Sequence, residues 1–89
     1  MFRILVSRTF QREFQKIPIN PQTRIRKSLT CLEEDPYAPR AHADIKQFKD
    51  THPQKYRLRM GNFRIVYVVE GNEVKILDML HRRRGYSSQ

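Results

Sequence analysis

The sequence contains one cysteine, Cys31, which excludes an intramolecular disulfide and any multi-cysteine zinc site. Cys31 falls at an apolar helical spacing and is interpreted as a small core residue. No run of about 18 apolar residues and no apolar signal-peptide core is found, so we expect a soluble, cytoplasmic protein. Low-complexity segments and linkers are also missing. The 89 residues therefore predict one domain, 1–89, with a thin core.

Acidic residues are scarce, and this sets the charge of the chain. Asp and Glu number 9 against 18 Lys and Arg, which gives a net charge of +9. Such a balance is typical of a nucleic-acid binder, or of a protein kept soluble by an acidic partner. An anionic membrane surface is a third possibility, but the sequence has no long basic amphipathic helix to bind one.

The segment 55–86 predicts three short strands joined by two tight turns, at 61–62 and 71–72. Both turns are Gly-Asn, and these residue types tolerate the positive φ that two-residue hairpin loops require. Alternation along the first strand separates Arg57 and Arg59 from an apolar face. Pairing across the first turn gives that face enough apolar side chains to receive helices: Tyr56, Leu58, Met60, Phe63, Ile65, Tyr67 and Val69.

The same pairing places Arg59 opposite Arg64 and groups both with Arg57 on the other face. Like charges opposite each other destabilise a sheet by a few tenths to ~1 kcal/mol. Conflicts of this kind concentrate at functional sites, and a bound phosphate would turn the repulsion into attraction. The alternative is a solvated face whose arginines pair with Asp or Glu from elsewhere.

The N-terminal half predicts a strand over residues 2–6 followed by two short helices separated by proline. Ser7 or Thr9 caps the first helix, which Pro18 ends. Asn20 and Pro21 begin the second helix as N-cap and first helical residue, and it closes at Asp35-Pro36. The apolar stripes of the two helices must lie on the sheet: Phe10, Phe14 and Ile17 in the first, and Ile25, Leu29 and Leu32 in the second.

Two further segments are less regular. Residues 36–53 predict a loop in which 44–49 is semi-ordered and held by Ile45 and Phe48. The last strand, 74–80, contains Asp78. Because its neighbours are apolar, its carboxylate needs a cationic partner, and the arginines of the tail are the nearest ones in the sequence. A bulge at 71–73 would invert the parity of this strand. The resulting fold class is α+β, β-α-α-β-β-β, with a small antiparallel sheet of about four strands and both helices on one face.

The basic tail of residues 81–86 ends the predicted sheet. On one interpretation it binds polyanions loosely. On the other it places His81, Arg82 and Tyr86 at the rim of the arginine face. This set has no carboxylate pair, metal-ligand spacing, Ser/His/Asp set or phosphate-binding glycine loop. It offers cations for a phosphate and two proton carriers, which are the parts needed for a ribose 2′-OH to attack its own phosphodiester without metal.

At these residues the chain resembles the RelE/ParE superfamily of toxins from toxin–antitoxin pairs. The shared pattern is a Tyr-x-hydrophobic-Arg strand, an aromatic-Arg-hydrophobic-Val-Tyr strand, and a strand ending in His-Arg with a nearby Tyr. Here these are residues 56–59, 63–67 and 81–86. The segment 45–49 also resembles the basic segment that precedes the sheet in that family. The resemblance covers nearly the whole chain.

The resemblance implies a ribosome-dependent endoribonuclease that cuts mRNA in the ribosomal A site without metal or cofactor. Arg64 and Arg82 would stabilise the transition state or act as acid, and Tyr86 would orient the base or take its proton. His81 is the second candidate for general base. The implied partners are mRNA, ribosomal RNA and an acidic, helical antitoxin that covers the basic face. The residues implied to hold RNA are Arg57, Arg59, Lys46, Lys49 and Arg83.

Two departures from the family pattern and two alternatives remain. Asp50 replaces the usual glycine, so the loop after Phe48 is expected to differ, and arginines replace lysines on the first hairpin strand. The ParE branch of the fold poisons DNA gyrase but generally lacks the terminal Arg-plus-Tyr set seen here as Arg82 and Tyr86. A non-catalytic nucleic-acid-binding module, or a relic that acts only as an antitoxin partner, is the other alternative.

Overall fold

A computed structural model describes residues 1–41 and 43–81. Along the chain it contains a strand, two helices and four further strands: β1 (Arg3–Val6), α1 (Arg8–Gln15), α2 (Ile19–Glu34), β2 (Asp44–Gln47), β3 (Lys55–Met60), β4 (Phe63–Glu70) and β5 (Glu73–His81). The α+β class is confirmed. Within these residues no helix is long and apolar enough to cross a membrane.

The sheet has five strands in the order β1-β5-β4-β3-β2. β1 pairs with β5 in parallel, whereas the other three pairings are antiparallel. The expectation of about four antiparallel strands is therefore wrong in two respects. The two helices carry the chain from β1 at one edge of the sheet to β2 at the other edge. The antiparallel strands β2 to β5 then lead back across the sheet, and β5 arrives beside β1 in the parallel direction. The added strand is β2.

Both helices pack on the apolar face of the sheet. The Ser7 hydroxyl caps α1 by accepting a hydrogen bond from the Phe10 amide at 3.0 Å. The start predicted for α2 is wrong, because the helix begins at Ile19 with Pro18 as N-cap, so Asn20 lies inside it. Pro18 has an extended backbone, and the helical conformation begins at the next residue. The predicted end at Asp35 is confirmed.

The core lies between the helices and the sheet. Ile25 and Leu32 of α2 and Leu58 and Ile65 of the hairpin are fully buried. Tyr67 is buried with them, and its hydroxyl donates a hydrogen bond of 2.7 Å to the Pro36 carbonyl. Burial raises the pKa of the Tyr67 hydroxyl, so this donor stays protonated at all ordinary pH values.

The β3–β4 hairpin has the predicted register. Met60 lies opposite Phe63, and Arg59 lies opposite Arg64. In each turn the glycine takes the positive φ, +59° at Gly61 and +60° at Gly71. The asparagines that follow do not. This combination is typical of two-residue hairpin loops in which glycine holds the first central position.

The segment 44–49 is more ordered than predicted, because β2 pairs with β3 along its whole length. Ile45 points into the core opposite Leu58, which anchors the strand. The chain then turns through Asp50, whose φ is +56°. Asp50 thus has the left-handed conformation that glycine adopts most easily, so the backbone is glycine-like at the position where the sequence departs from the family pattern.

The bulge in β5 is not at 71–73. The register of β4 against β5 shifts between Val66 and Tyr67, which lie opposite Asp78 and Ile76. Leu77 is the extra residue. It switches the side on which later residues of β5 lie, so Met79 joins the core and Asp78 faces away from the helices.

Candidate nucleic-acid interface

The face of the sheet opposite the helices carries the predicted arginines. We call it the arginine face, after Arg57, Arg59 and Arg64. The strand registers arrange its side chains in rows that cross the sheet. One row runs Asp44, Arg59, Arg64, Leu80, and the next runs Lys46, Arg57, Val66, Asp78. The grouping predicted from the hairpin turn is therefore confirmed, and β2 extends both rows by one residue.

The three arginines differ in their partners. Arg59 Nε lies 3.4 Å from Asp44 Oδ2 in an ion pair that solvent screens, since both side chains are about half exposed. Among the described residues, Arg57 and Arg64 have no carboxylate partner. Arg57 Nε is also buried without a hydrogen-bond acceptor within that part of the chain. Among residues 1–41 and 43–81 the pairing alternative thus holds for Arg59 alone, and no carboxylate of these residues occupies Arg57 or Arg64.

The two lysines predicted to bind substrate lie at the outer side of this face. Lys46 is exposed on β2, directly opposite Arg57. Lys49 is exposed in the turn after β2 and is not part of the strand ladder. Lys46 therefore extends the arginine row, whereas Lys49 lies beyond it.

The sequence predicted that His81 lies at the rim of the arginine face, but the structure places it elsewhere. It pairs with Phe63, a core residue, and the two rings stack with centroids 4.5 Å apart and planes 12° apart. His81 therefore lies on the helix side of β5. The physical cause is the bulge at Leu77, which could not be located from the alternation of the strand.

Asp78 faces the arginine side without an ion pair to any described cation. Its Oδ1 accepts a hydrogen bond of 2.7 Å from the Met79 amide. The tail arginines that the sequence offered as its partner lie outside the described residues, as do the predicted site residues Arg82, Arg83 and Tyr86. Asp78 is two strands from Arg57 in the same row, about 10 Å at the usual strand spacing.

A second cationic region adjoins the first at the tip of the β3–β4 hairpin. A groove of about 600 Å³ between α2 and this tip includes Arg24, Lys27 and Arg59 in its lining. Arg59 thus belongs to both regions. The groove could not be predicted from the sequence, because the approach of α2 to the hairpin is a tertiary contact.

Asp44 is another residue that sequence reasoning missed. Its signal was the alternation of Asp44 and Lys46 around Ile45, which is the pattern of a half-buried strand. With a single apolar residue between them, that pattern was too short to be separated from a loop.

Comparisons with known proteins agree on one family. Toxin RelE3 of Methanocaldococcus jannaschii is 29% identical over 84 residues, which cover 94% of each chain. RelE in the RelE–RelB complex of Pyrococcus horikoshii has a TM-score of 0.80 at 27% identity, over 93% of this chain and 97% of that one. The isolated RelE toxin of E. coli shares the fold, with a TM-score of 0.74 at 17% identity over 99% of this chain and 94% of that one.

The family model that matches is described as the ParE toxin of the type II toxin–antitoxin system parDE, and it matches residues 4–86. This range includes every strand and helix of the described residues except the first residue of β1, together with the whole basic tail of residues 81–86. The chain therefore belongs to the ParE toxin family of type II toxin–antitoxin systems, as its resemblance to the RelE/ParE superfamily predicted.

Proposed function

We propose that this toxin is a ribosome-dependent endoribonuclease that cuts mRNA without a metal ion. The 2′-oxygen of a ribose attacks the adjacent phosphorus as its proton leaves to a base. The bond from phosphorus to the 5′-oxygen breaks, and that oxygen receives a proton. The products are a 2′,3′-cyclic phosphate and a 5′-hydroxyl end.

The observation that carries this proposal is that the arginine face holds cations without carboxylate partners among the described residues. Arg64 faces Arg59 across the hairpin, and Arg64 and Arg57 lack a carboxylate partner among the described residues. A phosphodiester gains negative charge in the transition state, so cations already held in place stabilise it without reorganisation. Planar guanidinium groups also match the geometry of phosphate oxygens.

Within this proposal every predicted site residue except His81 has a role. Arg64 and Arg82 stabilise the transition state or protonate the leaving oxygen, and Tyr86 orients the base or takes its proton. Arg57, Arg59 and Lys46 hold the RNA backbone, as do Lys49 and Arg83. His81 has no direct part, because it stacks on Phe63 on the other side of the sheet.

We also propose an acidic, helical antitoxin as the protein partner. The solved structures of archaeal relatives are RelE–RelB complexes. In this chain the arginine face combines cations with exposed apolar side chains, Leu80 at 51% and Leu5 at 37% exposure. An amphipathic acidic helix would satisfy both features. Such binding would compete with RNA for the same face. A cytoplasmic location, where ribosomes and mRNA are available, belongs to the same proposal.

Primer extension on mRNA under translation tests the nuclease. The wild type should give discrete cuts in the coding region only when ribosomes are present. Arg64→Ala should lower the cleavage rate by about 100- to 1,000-fold, the usual cost of removing one transition-state donor. Tyr86→Phe should also reduce it. Arg12→Ala is the matched control, since Arg12 is an exposed arginine of α1.

The alternative function is inhibition of DNA gyrase. The matching family model carries the name of the ParE toxins, the branch of the superfamily that poisons gyrase. Gyrase supercoiling assayed with the same proteins separates the two functions. Intact mRNA together with failed supercoiling would overturn the nuclease proposal. A relic that acts only as an antitoxin partner would affect neither reaction.

A further inference from the structure

A cleft at the outer edge of the sheet, beside β2, adjoins the arginine face at Lys46. It has a volume of about 330 Å³. It is lined by Tyr37, Pro39, Ile45, Lys46, Gln47 and Tyr56. From its position and chemistry we propose that this cleft binds one base of the RNA strand whose backbone crosses the arginine face. The inference rests on the proposed function and adds to it a subsite for a nucleotide flanking the cut.

The aromatic part of the cleft is a supported ring. Tyr37 is 48% exposed and meets Tyr56 edge to face, with centroids 5.7 Å apart. Tyr56 in turn stacks on the buried Tyr67 at 5.5 Å. An exposed aromatic ring fixed from behind is a platform on which any base can stack, because every base has a π-face.

The loop that carries Tyr37 is held in place by Asp35. Asp35 Oδ1 accepts hydrogen bonds from the Tyr37 amide at 2.9 Å and from the Ala38 amide at 3.2 Å. Arg40 adds hydrogen bonds to the Asp35 and Ala38 carbonyls. The platform is thus ordered before any ligand arrives, which lowers the entropic cost of binding.

The polar part of the cleft suits a nucleotide. Lys46 supplies a cation for a phosphate, and the amide of Gln47 supplies a donor and an acceptor for the edge of a base. Lys46 also pairs with Arg57 across β2 and β3, so it belongs to the cleft and to the arginine row at once. A strand of RNA that lies on this row can therefore pass Lys46 and enter the cleft without leaving cationic surface.

Photo-cross-linking on the ribosome tests this subsite. The mRNA carries a 2′-O-methyl group at the nucleotide that is cut, which blocks the nucleophile, and one 5-iodouridine placed in turn at each flanking position. Trypsin releases residues 28–40 as a peptide whose only tyrosine is Tyr37. We expect one or two positions to cross-link to this peptide. If unmodified mRNA is cut but every adduct lies on other peptides, the cleft inference is overturned while the proposed function stands.

A binding experiment separates stacking from folding. Tyr37→Leu keeps apolar contact with Phe2 and Tyr56, and Tyr37→Phe keeps the ring. An oligoribonucleotide with one abasic position should bind the wild type about five- to 100-fold more weakly than the intact oligomer. Tyr37→Phe should show the same ratio, whereas Tyr37→Leu should show a ratio near one. Equal ratios for all three proteins at every abasic position would contradict the inference.

If mRNA is not cut and the intact oligomer does not bind, the proposed function and the inference fail together. If the oligomer binds with the expected abasic ratio but mRNA stays intact, the cleft remains a nucleotide site and only the nuclease proposal fails.

Discussion

Arg59 and Arg64 lie directly opposite each other across the β3–β4 hairpin, and Asp44 neutralises only Arg59 within the described residues. Cross-strand neighbours of like charge repel, and this repulsion opposes folding whenever no anion is bound. The hairpin therefore keeps an unfavourable contact at the place where the proposed substrate carries its phosphate.

The first prediction concerns this repulsion. Arg64→Gln should raise the free energy of unfolding by about 0.2 to 1 kcal/mol, because it removes one of two facing charges. In the Arg59→Gln background the same change should have no such effect. Urea denaturation of the four proteins forms a double-mutant cycle that measures the coupling. Strictly additive changes would show that the two side chains do not repel.

The second prediction concerns His81. His81→Phe keeps the stack on Phe63 and should leave mRNA cleavage within a few-fold of the wild type. His81→Ala removes the stack and should lower the free energy of unfolding by about 0.5 to 1.5 kcal/mol. Primer extension gives the first result and thermal unfolding the second. A large loss of cleavage in His81→Phe, with stability unchanged, would restore His81 as a candidate general base.

The third prediction concerns alkaline stability. The Tyr67 hydroxyl has a raised pKa in the folded protein, against 10.0 when it is solvated. The protonated hydroxyl contributes to the free energy of unfolding, and this contribution is fully present below pH 10. It is lost as pH rises further, because above pH 10 the unfolded chain releases a proton that native Tyr67 retains. The free energy of unfolding should then fall with a slope approaching ~1.4 kcal/mol per pH unit.

Tyr67→Phe is the control for this slope. It should remove the alkaline decline that Tyr67 causes. At neutral pH it should cost about 1 to 2 kcal/mol, since the Pro36 carbonyl loses its donor. Denaturant unfolding between pH 7 and pH 11 measures both effects. Identical slopes for the two proteins would show that Tyr67 does not cause the decline.

The fourth prediction concerns Asp50, which has a φ of +56°. Asp50→Gly should leave stability equal or raise it by up to ~1 kcal/mol, because glycine adopts this conformation without strain but loses more entropy on folding. Asp50→Ala should be less stable than Asp50→Gly by about 1 kcal/mol. Thermal unfolding of both variants beside the wild type checks the order. An alanine variant as stable as the glycine variant would contradict it.

Sequence reasoning succeeded where the determinants are local. The β3–β4 register follows from a two-residue turn and from the alternation of Arg57 and Arg59 with apolar residues. It failed where tertiary contacts determine which strands pair and which side of the sheet a residue faces. β2 has only Ile45 to mark its buried side, and the parallel pairing of β1 joins residues about 70 positions apart in the chain. The bulge at Leu77 leaves no turn residue to reveal it, so the side on which His81 lies could not be predicted.

The two-layer arrangement, with helices on one side of the sheet and the arginine face on the other, also bears on how such a toxin can change over time. Along β3, neighbouring residues belong alternately to the core and to the arginine face. A substitution at Arg57 or Arg59 therefore alters the proposed binding surface and leaves core packing intact. Substitutions at alternate residues of one hairpin can therefore change the target or the antitoxin specificity of the toxin, while every intermediate sequence still folds.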